Sequence, residues 1–155
     1  MSDDTGIRVA APSDAPAVGR LLYRLKRQYG STTITDEADF VRGAMSSVLE
    51  AIASTSNVVL VAEFSEEVVA FVDFSIRIAP RAGGRIGALE EIYVEGGWRR
   101  RGLGSALWSA GRDALRAKGV LEIEVITSMA HPGQRQFFAT ATKLEWYAAV
   151  HRERL

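Results

Sequence analysis

A short β-branched strand runs directly into a glycine-spaced, arginine-rich helix start within residues 89–107 of the 155-residue chain. Gly102 and Gly104 permit backbone conformations closed to other residues and leave room for a ligand against the main chain. The first N–H groups of the following helix, at about residues 101–106, have no intrahelical acceptor and lie at the positive end of the helix dipole. Phosphate oxygens suit such donors, so the segment predicts a diphosphate-binding turn.

Three consecutive arginines, Arg99, Arg100 and Arg101, precede that helix. Their forked donors are suited to a diphosphate or a ribose phosphate. The glycine spacing matches neither the G-x-G-x-x-G turn of dinucleotide-binding folds nor the G-x-x-x-x-G-K-[ST] loop of nucleoside triphosphatases. Taken alone, an arginine triplet is usually a solvated helix edge, so the assignment depends on the whole string.

Residues 89–104 resemble the acetyl-CoA-binding motif of the GCN5-related N-acetyltransferase (GNAT) superfamily. That motif can be written L-E-D-L-Y-V-x-P-x-Y-R-x-x-G-x-G, and the chain follows it in register with Gly96 in place of proline and Trp98 in place of tyrosine. The resemblance implies the α+β, three-layer GNAT fold, with a mixed central sheet of about six to seven strands flanked by four helices. We expect a single domain over residues 1–155.

The order of predicted elements agrees with that fold. Strands are predicted at residues 7–11, 58–64, 68–78, 89–94 and 121–126, and helices at residues 17–29, after a cap at Asp36, from Gly102 to about Lys118, and at 134–141. Residues 79–87, with one proline and three glycines, are predicted to form a mobile loop. Residues 143–155 suffice for one strand where the family commonly has two, so the C-terminal strand region is expected to be short and atypical.

The resemblance implies acetyl-CoA, or another acyl-CoA, as the cosubstrate. The backbone of Ile92 and Val94 would pair with the pantetheine arm, and the Val94 N–H would bond the acetyl carbonyl oxygen where the fourth strand splays from the fifth. The residues expected around the coenzyme are Ile92, Tyr93, Val94, Arg99, Arg100, Arg101, Gly102, Leu103, Gly104, Ser105 and Phe138.

The family chemistry is direct attack of an amine on the thioester, so a base and an oxyanion donor are needed. By resemblance Glu90 and Val94 fill these catalytic roles, and Asp73 and Glu90 are the expected binders of a cationic substrate. Strand alternation would send Glu91 to the opposite face from Glu90. The alternative for these carboxylates is that they are solvated or paired with arginines.

The family's usual general acid is the tyrosine of an F-Y pair, and Phe138 stands at that position. Phenylalanine has no proton to donate to the leaving thiolate. Because a thiol with a pKa near 8.5 lies close to neutrality, the loss should slow catalysis by about 2 kcal/mol without abolishing it. Tyr93, Tyr147 and His131 are the candidate substitutes.

The sequence alone does not identify the acceptor substrate. Residues 69–77, VAFVDFSIR, locally resemble aminoglycoside 6′-N-acetyltransferases. The carboxylates suit a small cationic amine that is aminoglycoside-like, a polyamine or an amino acid. The alternatives are a peptide or protein N-acetyltransferase and a nonenzymatic acyl-CoA-binding or sensing module.

The amino-acid composition limits the kinds of partner that are expected for this chain. Basic and acidic side chains balance at 19 each, which argues against a general nucleic-acid binder. There is no cysteine and there are two histidines, so neither a disulfide nor a metal site is expected. The first residues lack a signal-peptide pattern and no apolar run approaches a membrane span, so we expect a cytoplasmic protein without a membrane partner. A homodimer formed through the C-terminal strand, around Trp146 and Tyr147, is an open alternative.

Overall fold

The computed structural model describes residues 6–30, 36–127, 132–142 and 144. The chain forms two compact units, residues 1–124 and 125–155. The strands and α-helices, in chain order, are β1 (Gly6–Val9), α1 (Ala15–Gln28), α2 (Glu37–Ala53), β2 (Asn57–Phe64), β3 (Glu67–Ala79), β4 (Gly84–Val94), α3 (Leu103–Ala117), β5 (Val120–Val125) and α4 (Pro132–Ala141).

The strands form one sheet in the order β1-β2-β3-β4-β5. The first three pairings are antiparallel, and β5 follows β4 through the crossover helix α3, the connection of a parallel pair. The predicted mixed α+β architecture is confirmed. The described residues contain five strands rather than six to seven. The predicted last strand falls in residues 143–155, of which only Leu144 lies within the described part of the chain.

Several element ends follow the local signals in the sequence. Asp36 caps α2, accepting hydrogen bonds from the Ala38 and Asp39 N–H groups at 2.7 and 3.2 Å. The turn between β2 and β3 consists of Ser65 and Glu66, both at positive φ, as a tight hairpin requires. The predicted cap and the two predicted strands on either side of this turn are confirmed.

The prediction of a mobile loop at residues 79–87 is wrong. β3 and β4 stay paired as far as Ala79 and Gly84, so the connection is confined to residues 80–83. A Cβ on Gly84 would lie 3.0 Å from the Leu121 side chain, and one on Gly87 would lie 3.1 Å from Leu115. These two glycines therefore permit close packing of β4 against β5 and helix α3, and they do not form a flexible loop.

The start of the chain also differs from expectation. β1 ends at Val9, two residues early, and α1 begins at Ala15 rather than at residue 17. Asp14 does not cap the helix with its side chain. Its carboxylate accepts two hydrogen bonds from Arg8, at 2.7 and 3.0 Å, and one from the Ala11 N–H at 2.7 Å. This charge-assisted pairing holds the pKa of Asp14 below its ordinary value.

The two faces of the sheet carry separate apolar layers. The first packs α1 and α2 against the odd-numbered side chains of β2 and β3, with Val18, Leu21, Leu25, Val48, Val59, Val61, Phe71 and Tyr93 in one buried cluster. On the other face α3 lies over Phe74, whose ring centre is 5.8 Å from that of Trp108. The first layer carries the features described below as a candidate site.

Gly111 and Gly43 form a matched pair for testing the α3 layer. A Cβ on Gly111 would lie 2.4 Å from a Phe74 ring carbon, whereas one on exposed Gly43 of α2 would meet no atom within 4 Å. We expect Gly111→Ala to lower the free energy of unfolding by about 1–3 kcal/mol through overpacking. Gly43→Ala should raise it by up to about 1 kcal/mol, because alanine favours helix. Urea unfolding followed by circular dichroism measures both, and a shift of the same sign in the two variants would contradict this packing.

Candidate active site

One extra residue interrupts the pairing of β3 with β4. Asp73 lies opposite Glu91, and the next residue of β3, Phe74, lies opposite Leu89, so Glu90 is an insertion in β4. Such a β-bulge increases the local twist and re-aims side chains, and bulges are frequent beside active sites. The bulge falls in the segment for which the sequence predicts a catalytic carboxylate.

Both glutamates of the bulge face the same side of the sheet. Glu91 is the direct cross-strand partner of Asp73, and such partners share a face. The Glu90 carboxylate accepts a hydrogen bond from Ser75 Oγ, and Ser75 shares the face of Asp73, two residues before it. The expectation that alternation separates Glu90 from Glu91 is wrong, because the inserted residue breaks the alternation.

A cavity of about 180 Å³ opens on this face of the sheet, between the strands and helices α1 and α2. The charged side chains in its lining are Asp73 and Glu91, and the remaining lining is almost entirely hydrocarbon. The full lining consists of Val18, Leu22, Ser47, Val48, Ala51, Val59, Phe71, Asp73 and Glu91.

Asp73 is the most perturbed acid of this group. Burial raises the pKa of Asp73 to about 6; the neighbouring charge of Glu90 adds to this increase, and a hydrogen bond from Asn57 Nδ2 at 3.5 Å opposes it. A carboxylate that is short of solvent and beside a like charge gains from a bound cation. The cavity therefore has an end suited to an ammonium group.

The end of β4 directs main-chain groups away from β3. The Glu95 N–H donates to the Val69 carbonyl at 2.9 Å. In the alternating pattern of an antiparallel ladder, the preceding pair, Ala70 and Val94, is then a non-hydrogen-bonded one. The N–H and C=O groups of Val94 therefore point toward the outer edge of β4, and those of Ile92 do so for the same reason.

β5 flanks the first part of that edge, since Val120 and Leu121 lie against Gly87 and Gly84. At the other end, Arg99 Nε donates to the Val94 carbonyl at 2.8 Å. Among the residues that the structure describes, a side chain thus takes the place there of a neighbouring strand. The adjacent Val94 N–H is the donor that the motif implies for an acyl carbonyl oxygen.

Arg99 also connects the turn after β4 to helix α1. Its second terminal nitrogen donates to Gln28 Oε1 at 2.8 Å, and its Cζ lies 5.3 Å from the centre of the Tyr93 ring. One helical turn earlier, Arg24 forms an ion pair with Glu95. Arg99 therefore positions the turn through contacts with protein groups, while its predicted contact with phosphate stays a prediction.

The turn itself has the geometry of an anion cradle. Gly102 has φ 80° and forms the N-cap of α3, and Arg100, at φ 59°, adopts a left-handed conformation that is uncommon for a residue with a side chain. The N–H groups of residues 103–105 precede the first helical donor, Ala106, which bonds the Gly102 carbonyl at 3.0 Å. A Cβ on Gly102 would have no neighbour within 4 Å, so a ligand has space against this backbone.

The three arginines are not equivalent. Arg101 lies over Trp98, with its Cζ 5.3 Å from the ring centre, and Trp98 packs on Phe64 with ring centres 4.6 Å apart. Arg99 is engaged as described above. Within the described part of the chain, Arg100 has no hydrogen-bond or ion-pair partner, which leaves its charge available to a bound anion.

Comparison with known protein families shows the family of this chain. The model of the Acetyltransferase (GNAT) family matches residues 22–141. The chain belongs to the GNAT family. It is therefore an acyltransferase, of a family that normally uses acetyl-CoA. A search of curated proteins found no match.

Solved structures similar to this GNAT chain share its fold. An aminoglycoside acetyltransferase, meta-AAC0020, from an uncultured soil metagenomic sample is 16% identical over 99% of this chain and 97% of its own, with a TM-score of 0.79. A possible acetyltransferase from Clostridium difficile 630 is 13% identical over 97% of both chains, with a TM-score of 0.81. A ribosomal-protein-alanine N-acetyltransferase from Brucella melitensis biovar Abortus 2308 is 18% identical over 96% and 99%, with a TM-score of 0.73.

The residues considered for proton donation lie in different settings. Phe138 is buried in α4 of the second unit, with its ring 5.0 Å from that of Phe137 in an edge-to-face arrangement. Tyr93 is buried in the core cluster of the first unit. His131 and Tyr147 lie outside the described residues.

Sequence reasoning missed three polar residues of this GNAT site. Asn57 and Ser75 are cross-strand partners that contact Asp73 and Glu90 respectively, and only the register of the β2–β3 hairpin could have revealed them. Tyr29, at the end of α1, is the third: burial and the nearby charge of Glu91 raise the pKa of Tyr29, whereas Arg99 lowers it. No sequence motif marks Tyr29, because its place near the sheet depends on how helix α1 packs.

Residues 6–30, 36–127, 132–142 and 144 contain no cluster of three or more histidine, cysteine or acidic side chains able to hold a metal ion. None of their helices is long and apolar enough to cross a membrane.

Asp73→Asn is expected to stabilise the protein. The folded state binds the Asp73 proton more tightly than the unfolded chain does, so this group's stabilising contribution is complete below about pH 4 and is lost as pH rises through about 6. The pKa of Asp73 is raised from 3.8 to about 6, so at pH 7 the isosteric variant should have a free energy of unfolding up to about 3 kcal/mol above that of the parent, at about 1.4 kcal/mol per pKa unit.

Urea unfolding between pH 4 and pH 8 measures this difference. The control is Asp113→Asn, which removes an exposed ion pair with Arg116 on α3 and should change stability by less than about 1 kcal/mol at every pH. An Asp73→Asn variant that is less stable than the parent at pH 7 would mean that the carboxylate is held by favourable contacts instead.

Proposed function

We propose that the chain is an acetyl-CoA-dependent N-acetyltransferase that modifies the primary amine of a small cationic acceptor by direct attack on the thioester. The observation that carries the proposal is the arrangement along β4. A carboxylate-lined cavity flanks the bulge, and the outward-facing Val94 N–H and the anion cradle at residues 102–105 follow within fourteen residues of Glu91.

The coenzyme would be held mainly by main-chain groups. The N–H groups of residues 103–105 and the charge of Arg100 suit its diphosphate, and the outer edge of β4 at Ile92 and Val94 suits the pantetheine amides. Bound acetyl-CoA supplies the acyl thioester. The Val94 N–H would stabilise negative charge on the acetyl oxygen during attack.

Glu90 is proposed as the base. It lies beside Ser75 at the rim of the acidic face and is exposed, so it can take a proton from the acceptor ammonium directly or through water. The amine nitrogen then forms a bond to the acetyl carbon, the carbon–sulfur bond breaks, and the thiolate leaves and is protonated. Asp73 and Glu91 would hold the ammonium before it loses its proton.

The acceptor proposed from the sequence is aminoglycoside-like, a polyamine or an amino acid. The names of two similar structures, an aminoglycoside acetyltransferase and a ribosomal-protein-alanine N-acetyltransferase, are compatible with a small amine and with a protein N-terminus respectively. A peptide or protein acceptor is therefore the second candidate.

A third candidate is an acyl-CoA sensor without turnover, which Phe138 at the usual tyrosine position favours. The cytoplasmic location, the absence of nucleic-acid and membrane partners, and the homodimer through the C-terminal strand stay predictions.

The test is release of free thiol from acetyl-CoA in the presence of aminoglycosides, polyamines, amino acids and short peptides, with coenzyme binding measured by calorimetry. We expect thiol release with one class of amine. Glu90→Gln should lower kcat by about 10²-fold or more, the usual contribution of a general base, and leave the coenzyme Kd within about threefold of the parent value.

Glu50→Gln, on the exposed side of α2, is the matched control and should leave both values unchanged. Undiminished turnover by Glu90→Gln would remove its role as base. Tight coenzyme binding without thiol release for any amine would favour the sensor, and no coenzyme binding would contradict the proposed site.

A further inference from the structure

The cavity beside β4 is chemically divided. Asp73 and Glu91 lie side by side at one end, since they are direct partners across β3 and β4. Ser47, an exposed residue of α2, adds one hydroxyl to the lining. The rest of the lining consists of hydrocarbon side chains, namely Val18, Leu22, Val48, Ala51, Val59 and Phe71.

The charged end suits one ammonium group. Asp73 and Glu91 provide two carboxyl groups, the neighbouring Glu90 adds a third nearby, and no lysine or arginine contributes to the lining. A cation at this end is attracted by all three. A carboxylate on the acceptor would be repelled by the same groups, which disfavours free amino acids.

The hydrocarbon walls disfavour strongly polar acceptors. The hydroxyls of an aminoglycoside, or the second ammonium of a polyamine, would lose water without gaining hydrogen-bond partners from valine, leucine, alanine and phenylalanine side chains. An apolar body would instead exchange contact with water for contact with Val48, Val59 and Phe71, all of which are buried.

The size of the cavity limits the acceptor further. Its volume of about 180 Å³ is below the roughly 300–1,000 Å³ of sites for drug-sized ligands. The part of an acceptor that enters it is therefore smaller than a drug-sized ligand such as a whole aminoglycoside.

We propose that the acceptor is a small primary amine with one positive charge on a compact hydrocarbon body, such as an alkylamine or an arylalkylamine. The ammonium lies between Asp73 and Glu91, and the body fills the pocket formed by α1, α2 and the sheet. This inference rests on the proposed N-acetyltransferase function and specifies the acceptor of that site.

The test compares kcat/KM for matched amines by thiol release. Pentylamine and 1,5-diaminopentane have the same chain and differ in the second ammonium, so pentylamine should be preferred by at least about tenfold. Phenethylamine should likewise exceed glucosamine and kanamycin. Preference for the diamine, for an aminoglycoside or for a leucine-initiated peptide overturns this assignment, whereas thiol release with none of these amines overturns the proposed function itself.

A pair of variants tests the position of the hydrocarbon body. Ala51→Leu fills part of the cavity, whereas Ala53→Leu places the same change on the exposed end of α2. Ala51→Leu should lower kcat/KM for phenethylamine by about tenfold or more and that for ethylamine by less than about threefold. Ala53→Leu should change neither. Equal effects of Ala51→Leu on the two amines, or none, would place the body of the acceptor elsewhere.

Discussion

The insertion of Glu90 into β4 is the constraint on which the rest of the site depends. A regular ladder would alternate the two glutamates across the sheet, and only one could approach the cavity. The shift between Asp73 and Phe74 instead brings Glu90 and Glu91 to the face of Asp73. Three carboxyl groups are thereby brought together, and this lowers the stability of the fold, as the raised pKa of Asp73 shows. A cationic acceptor would relieve that cost when it binds.

At the end of β4, the outward-facing backbone carbonyl of Val94 is bound by the side chain of Arg99. Arg99 bonds the outward carbonyl of Val94 and, through Gln28, fixes α1 to the turn that precedes α3. The same helix α1 contributes Val18 and Leu22 to the cavity. One guanidinium thus links the wall of the cavity proposed for the acceptor to the cradle proposed for the coenzyme, so the two substrates would be positioned by one connected set of contacts.

Part of the fold and of the candidate site could be predicted from the sequence, because those features depend on residues adjacent in the chain. The glycine-spaced turn, the Asp36 cap and the β2–β3 hairpin each follow from a few adjacent residues. The bulge could not, because strand alternation is the default expectation and an inserted residue leaves no local signal. Gly84 and Gly87 suggested a loop for the same reason: their role depends on Leu121 and Leu115, which are distant in sequence.

We propose that the edge of β4 at Val94 and the cradle after it form one acetyl-CoA site. The most direct measurement is a crystal structure of the protein with a nonhydrolysable acetyl-CoA analogue. We expect the diphosphate on the N–H groups of residues 103–105, the acetyl oxygen within hydrogen-bond distance of the Val94 N–H, and the acetyl group directed toward Asp73 and Glu91. A coenzyme bound away from the cradle, or a Val94 N–H paired with another strand, would contradict it.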